Sequence, residues 1–194
     1  MVHFIKLARI IFALTLLTNA TAKAAAPLVM PPSSAAENTR PKSTLEKTFS
    51  SWGLSCATAQ SPEGKQVERC MISQMVTNAP KTGKVLLGVT VDYADSNATP
   101  TMRFRFAPGA KQKAGVGIKI DNGPEMRLAI NSCNEQRCEA VGRLPADVLK
   151  LWRNGKLAQL AFIEQGGKQL LLPISLEGFN EALSALRRYL DKKK

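Results

Sequence analysis

The sequence predicts an all-β fold, an antiparallel two-sheet sandwich with one short helix and one C-terminal helix. Three observations predict it. Apolar and polar residues alternate over several short segments. Turn-forming clusters separate those segments. Helical spacing of apolar residues appears only twice, late in the chain.

The first residues concern location rather than fold. Lys6 and Arg9 precede an apolar run at 10–17, and Ala22-Lys23-Ala24 follows with small residues at both flanks of a lysine. Basic, apolar and small residues in that order are the pattern of a cleavable signal peptide, expected here as residues 1–24. The apolar run is too short to anchor the chain, no cysteine follows it for lipidation, and no other stretch is long enough to span a bilayer as a helix. Residues 25–45 are rich in Pro, Ala, Ser and Thr and lack a sustained apolar period, so they read as a linker. Residues 46–194 have the size of one domain.

Within that domain the dominant period is two. Val85, Leu87, Val89, Val91 and Tyr93 fall on alternate positions, as do Met102, Phe104 and Phe106. Val116, Ile118 and Ile120 follow, then Met126, Leu128 and Ile130. Successive strand side chains point to opposite faces, so each segment can bury one face and wet the other. Turn signals stand between them at 61–64, 95–97, 108–109, 121–124 and 166–167. Short strands at this spacing favour a sandwich, with a closed barrel second.

Two helices complete the list. Pro145 can open the first, because its missing N–H would lack a partner there anyway. Val148, Leu151 and Trp152 would share its apolar face, and Asn154-Gly155 would end it. Ser175 is the expected N-cap of the second. Phe179, Ala182, Leu183, Leu186 and Leu190 then recur at helical spacing.

The four cysteines depend on the compartment. Export places them where disulfides persist, and an even count fits a disulfide framework. Strands on either side of a polar loop would set Cys56 opposite Cys70. Strands flanking a turn at 134–137 would set Cys133 opposite Cys138. Of three pairings this is the preferred one. A reactive thiol pair is the alternative, and only Arg137 stands near enough in sequence to lower a thiol pKa. Neither spacing is C-x-x-C, and a zinc site would ask for that or for histidine partners. Trp52 is expected to pack in the core beside the first disulfide.

The single histidine, His3, lies in the expected signal peptide. A chain without histidine after cleavage excludes Ser-His-Asp and Cys-His catalysis and histidine metal sites. No metal or cofactor is therefore expected. Asp92, Asp95, Asp121 and Glu125 could serve as acid and base, but they fall at expected turns, where such residues are usual. Removing Lys6, Arg9 and Lys23 leaves 24 basic residues against 15 acidic, a net charge of +9. That balance suits anionic partners outside the cytoplasm, such as lipopolysaccharide, an acidic glycan or an anionic lipid, and an envelope or host-surface protein is the other expected partner. Nucleic acid is not expected, because no recognised motif is present. Arg103 and Arg105 on one strand, and Lys111 and Lys113 in a loop, are the candidate contacts.

Several of these features occur in a telling order. Trp52-x-Leu54-x-Cys56 and Cys70 come first, then Gly88-Val89, then the stretch from Gly117 to Asp121. Cys133 and Cys138, a helix ending at Gly155, and Leu176-x-Gly178-Phe179-x-x-Ala182 close the series. The series resembles the invasion-associated locus B family of exported alphaproteobacterial proteins, over nearly the whole mature domain. The resemblance implies an immunoglobulin-like β-sandwich and no catalytic motif. It also implies a tie to virulence, since the family's namesake is linked to invasion of red blood cells. Many members occur in bacteria that invade nothing. One departure is visible: Arg137 stands where the family often has glycine. The expectation is an exported, non-enzymatic protein of the periplasm or outer cell surface that assists host-cell interaction. A periplasmic housekeeping or chaperone-like module is the alternative.

Overall fold

Among the described residues, eleven strands form two antiparallel sheets. The computed structural model describes residues 43–192 except 62, 80–82, 95 and 96. The expected signal peptide, and the expected linker up to residue 42, lie outside the described residues. The larger sheet has seven strands in the order β1-β2-β3-β4-β5-β9-β8. Its first five are β1 (Ser43–Phe49), β2 (Trp52–Gln60), β3 (Gln66–Thr77), β4 (Val85–Asp92) and β5 (Thr101–Phe106), joined as a meander. The smaller sheet has the order β11-β10-β6-β7, from β6 (Val116–Ile120), β7 (Met126–Leu128), β10 (Leu157–Ile163) and β11 (Gln169–Ser175). β8 (Ile130–Cys133) and β9 (Cys138–Arg143) complete the larger sheet.

The period-two segments bury the residues that the pattern selects. Leu87, Val89 and Val91 of β4 and Met102, Phe104 and Phe106 of β5 are buried, as are Val116, Ile118 and Ile120 of β6. Val85 departs from its set and is exposed, because the register shifts between Val76 and Thr77 on its partner strand. Phe106 and Phe162, from opposite sheets, bring their rings to 4.7 Å. Residues 126–131 alternate as if they were one strand. The structure divides them at Ala129, where the chain leaves the edge of the small sheet and joins the edge of the large one.

Two α-helices among the described residues fill what the small sheet does not cover. α1 (Ala146–Asn154) buries Trp152, with Val148 and Leu149 packed beside it. Leu151 is exposed instead of sharing that face. α2 (Phe179–Asp191) lies on β1, β2 and β3 and buries Phe179, Ala182, Leu183 and Leu186. Its cap is Gly178, not Ser175, which still belongs to β11. Gly178 has φ 84°, and a Cβ there would overlap the Phe49 carbonyl, so both conformation and space demand glycine. Phe179 then meets Trp52 edge-on at 4.9 Å and Trp152 at 5.6 Å. Phe104 continues the aromatic row at 6.3 Å from Trp152.

A polar knot joins the layers. Gln74 of β3 is the one buried polar residue among the described residues. Its Nε2 donates to the carbonyls of Ser51 and Ser175 at 3.1 and 2.9 Å. Its Oε1 accepts the Ser175 N–H at 3.1 Å. Trp52 Nε1 donates to the same Ser175 carbonyl at 2.9 Å. Every polar atom of the amide thus meets a backbone partner on another element. Gln74→Leu keeps the volume but leaves the Ser175 N–H without its acceptor. Chemical denaturation should show a loss of about 2 kcal/mol, the cost of orphaning buried polar groups.

Candidate functional site

The two cysteine pairs are disulfides. Cys56 and Cys70 face each other in the β2–β3 register, and Cys133 and Cys138 do so in the β8–β9 register. Each pair has a Cα separation of 4.0 Å. All four cysteines are bonded in these two pairs, and no free thiol remains. The turn at 134–137 closes through Asn134. Its side-chain oxygen accepts the N–H of Gln136 and of Arg137, each at 2.9 Å, and its own N–H reaches the Arg137 carbonyl. The asparagine organises the turn, so glycine is not required at 137.

Arg103 and Arg105 do share the outward face of β5, but they are not a bare basic stripe. Glu139, opposite on β9, takes Arg105 Nε at 2.8 Å and Arg103 Nε at 3.3 Å. Asp92 lies 3.9 Å from Arg103. Burial alone would raise the Glu139 pKa. The hydrogen bond from Arg105 and the charges of both arginines outweigh burial and hold its carboxyl below the usual range.

Lys111 and Lys113 stand elsewhere, at a one-turn 3-10 helix (Gln112–Ala114) between β5 and β6. The loop is held on both sides. The Lys111 N–H donates to the Ile163 carbonyl at 2.7 Å, and Gln112 Nε2 donates to the Ile130 carbonyl at 3.2 Å. Gln165 Nε2 reaches the Ala110 carbonyl at 3.3 Å. Both lysines are exposed, and neither forms an ion pair among the described residues. The structure therefore separates the four candidate cations into a compensated pair on the sheet and a free pair at the corner.

The carboxylates considered for acid–base work have structural duties. Asp121 accepts the N–H of Lys156 at 3.1 Å and of Leu157 at 3.0 Å, which ties the α1–β10 loop to the end of β6. Glu125 pairs with Arg127 at 3.1 Å. Asp95 lies outside the described residues. Among the described residues no cluster of three metal-ligating side chains exists. No helix among them is long and apolar enough to cross a membrane.

A cleft escaped the sequence analysis. It opens between the sheets beside α1 and has a volume of about 230 Å³. Phe104 and Trp152 line it together with Met102, Met126, Leu128 and Val148. Arg127 and Arg143 also border it, and no acidic residue does. Its walls come from β5, β6, β7, β9 and α1, so no local motif announces it.

The fold and its cross-links define a small two-sheet β protein, stapled by disulfides between adjacent strands. The chain belongs to the invasion associated locus B (IalB) family, whose profile matches residues 52–187. It is similar in fold to the crystal structure of invasion associated protein B from Bartonella henselae. That likeness has a TM-score of 0.66 at 21% identity, covering 77% of this chain and 99% of the other. No protein of the curated collections matches the chain.

Two expectations follow. Removing Cys56–Cys70 by a double alanine substitution should cost about 3 kcal/mol, and removing Cys133–Cys138 about 2, since the second closes a shorter loop. Unfolding midpoints in denaturant read both. Glu139→Gln should lower stability near neutral pH by up to about 1 kcal/mol, as for a partly exposed ion pair. A carboxyl held low in the folded state stabilises above its unfolded pKa, and this is lost as pH falls through the folded value. The gap between wild type and variant should therefore close in acid, as thermal melts across the acidic range would read.

Proposed function

We propose that the protein is an exported, non-enzymatic component of the cell envelope that holds acidic surfaces and assists contact with a host cell. The observation that carries this reading is the braced corner bearing Lys111 and Lys113. Two exposed ammonium groups, neither in an ion pair among the described residues, stand on a loop fixed to both sheets. Such a platform attracts anionic glycans or lipid head groups without first ordering a loop. Export is supported by the order of basic, apolar and small residues at the N-terminus and by the two disulfides, which suit an oxidising compartment. Family membership supports the link to invasion.

Binding to heparin, as a model acidic glycan, tests the corner. Lys111→Glu with Lys113→Glu should weaken binding at low salt by about fivefold or more. The deficit should shrink as salt rises, because exposed charges are screened beyond about 8–10 Å at physiological ionic strength. Equal binding by variant and wild type would reject the corner as the contact. Protease added to intact cells separates the host-contact role from a housekeeping one. Protection until the outer membrane is opened would move the protein to the periplasm and favour the housekeeping module.

A further inference from the structure

We propose that the cleft between the sheets binds a free medium-chain carboxylic acid, with the alkyl chain inside and the carboxylate at the mouth. The argument begins with why the cleft stays open. β7 is only three residues long and is the last strand of its sheet. Past Ala129 the chain crosses to the other sheet, so nothing continues the wall there. Gly142, facing β7 from β9, has no side chain to fill the gap. A Cβ at Gly142 would come within 2.7 Å of Leu128 Cδ1. Room for Leu128 and the absence of a plug thus have one cause.

The lining fits an alkyl chain. Phe104 and Trp152 are almost fully buried and give rigid walls. Met126, Leu128 and Val148 are only half-buried, so apolar surface remains in contact with water. Covering it is favourable in proportion to the area removed from water. Met102 and Met126 bring flexible, polarisable thioethers, which adapt to a chain of variable shape. A dry cavity of about 150 Å³ accommodates benzene, and by that ratio 230 Å³ holds about nine carbons. A membrane acyl chain of about twice that length would leave about half of its carbons outside the cleft.

The mouth selects the head group. Arg127 on β7 and Arg143 at the end of β9 border the cleft, both exposed, and no carboxylate lines it. Glu125 pairs with Arg127, while Arg143 has no ion pair among the described residues. A guanidinium presents its donors in a planar fork that matches a carboxylate. An uncharged head of the same length lacks that match.

Calorimetric titration of the oxidised protein with decanoate, and separately with decanol, tests the proposal. Saturable one-to-one binding of decanoate, about tenfold tighter than decanol, is expected. Met126→Trp, which fills the cleft, should weaken decanoate by about tenfold or more. Val148→Trp serves as a second filling variant, and thermal melts verify that each is folded. Arg127→Ala with Arg143→Ala lies at the surface and should abolish the preference for decanoate over decanol. Absence of saturable decanoate binding would overturn the proposal. So would equal affinity for decanol, or binding that both filling variants leave unchanged. Association with phosphatidylglycerol vesicles without binding of free decanoate would assign the cleft to a lipid surface and equally overturn it. None of these outcomes depends on Lys111 or Lys113, so failure here and failure of the corner are distinguishable.

Discussion

The amide of Gln74 is the constraint around which the two layers are arranged. Hydrophobic burial is non-directional and would tolerate many ways of laying one sheet on another. A buried amide tolerates few, because each unmatched donor or acceptor is costly. Gln74 of the large sheet meets both backbone groups of Ser175, the last residue of β11 in the small sheet. Trp52 donates to the same carbonyl. These bonds fix where β11 ends relative to β3, and so where the chain turns into α2. Gly178 follows three residues later and lets α2 start against the end of β1. Phe179 then enters the core between Trp52 and Trp152. One polar contact sets the register for an apolar row that runs across the molecule.

The aromatic row connects this knot to the cleft. Trp152 packs against Phe179 on one side and lines the cleft on the other, with Phe104 beyond it. The position of α1 is therefore tied to the same arrangement that seats α2. Charge follows a different logic. On the outer face of the large sheet, arginines and acids alternate across β4, β5 and β9 and offset one another. The corner and the cleft mouth keep positive charge, and both lie where the chain passes between sheets.

Much of the fold was legible in the sequence. Strict alternation in β4, β5 and β6 identified those strands and, Val85 apart, their inward residues. The opposed cysteines identified two strand pairs and both disulfides. The late helical spacing identified α1 and α2. What was not legible has physical causes. β1 opens at Ser43, inside the stretch read as linker, and its sequence STLEKTF carries little apolar alternation because it is an exposed edge. β10 and β11 were not among the expected strands, although Gly166-Gly167 marks the turn between them. β11 reads LLLP, and a proline inside a strand argues against one unless it lies at an edge, as Pro173 does. The Ala129 crossing keeps period two through a change of sheet, so no pattern could reveal it. The corner lysines were visible as a loop. Compensation of Arg103 and Arg105 by Glu139 was not, because Glu139 lies 34 residues from Arg105 and further still from Arg103 in sequence. Gln74 looked like any polar strand residue, and the cleft is assembled from residues scattered over five elements.

Both disulfides lie within the large sheet, one between β2 and β3 and the other between β8 and β9 at its far edge. All four cysteines are spent there, so no disulfide crosses between the layers. The molecule is thus a stiff plate, riveted near both margins, faced by a softer one held by packing and a few hydrogen bonds. Deformation under load concentrates in the softer plate. Backbone joins the two plates at Ala129 and again between β5 and β6. Reduction of the rivets would loosen the stiff plate without removing a single tie between the two.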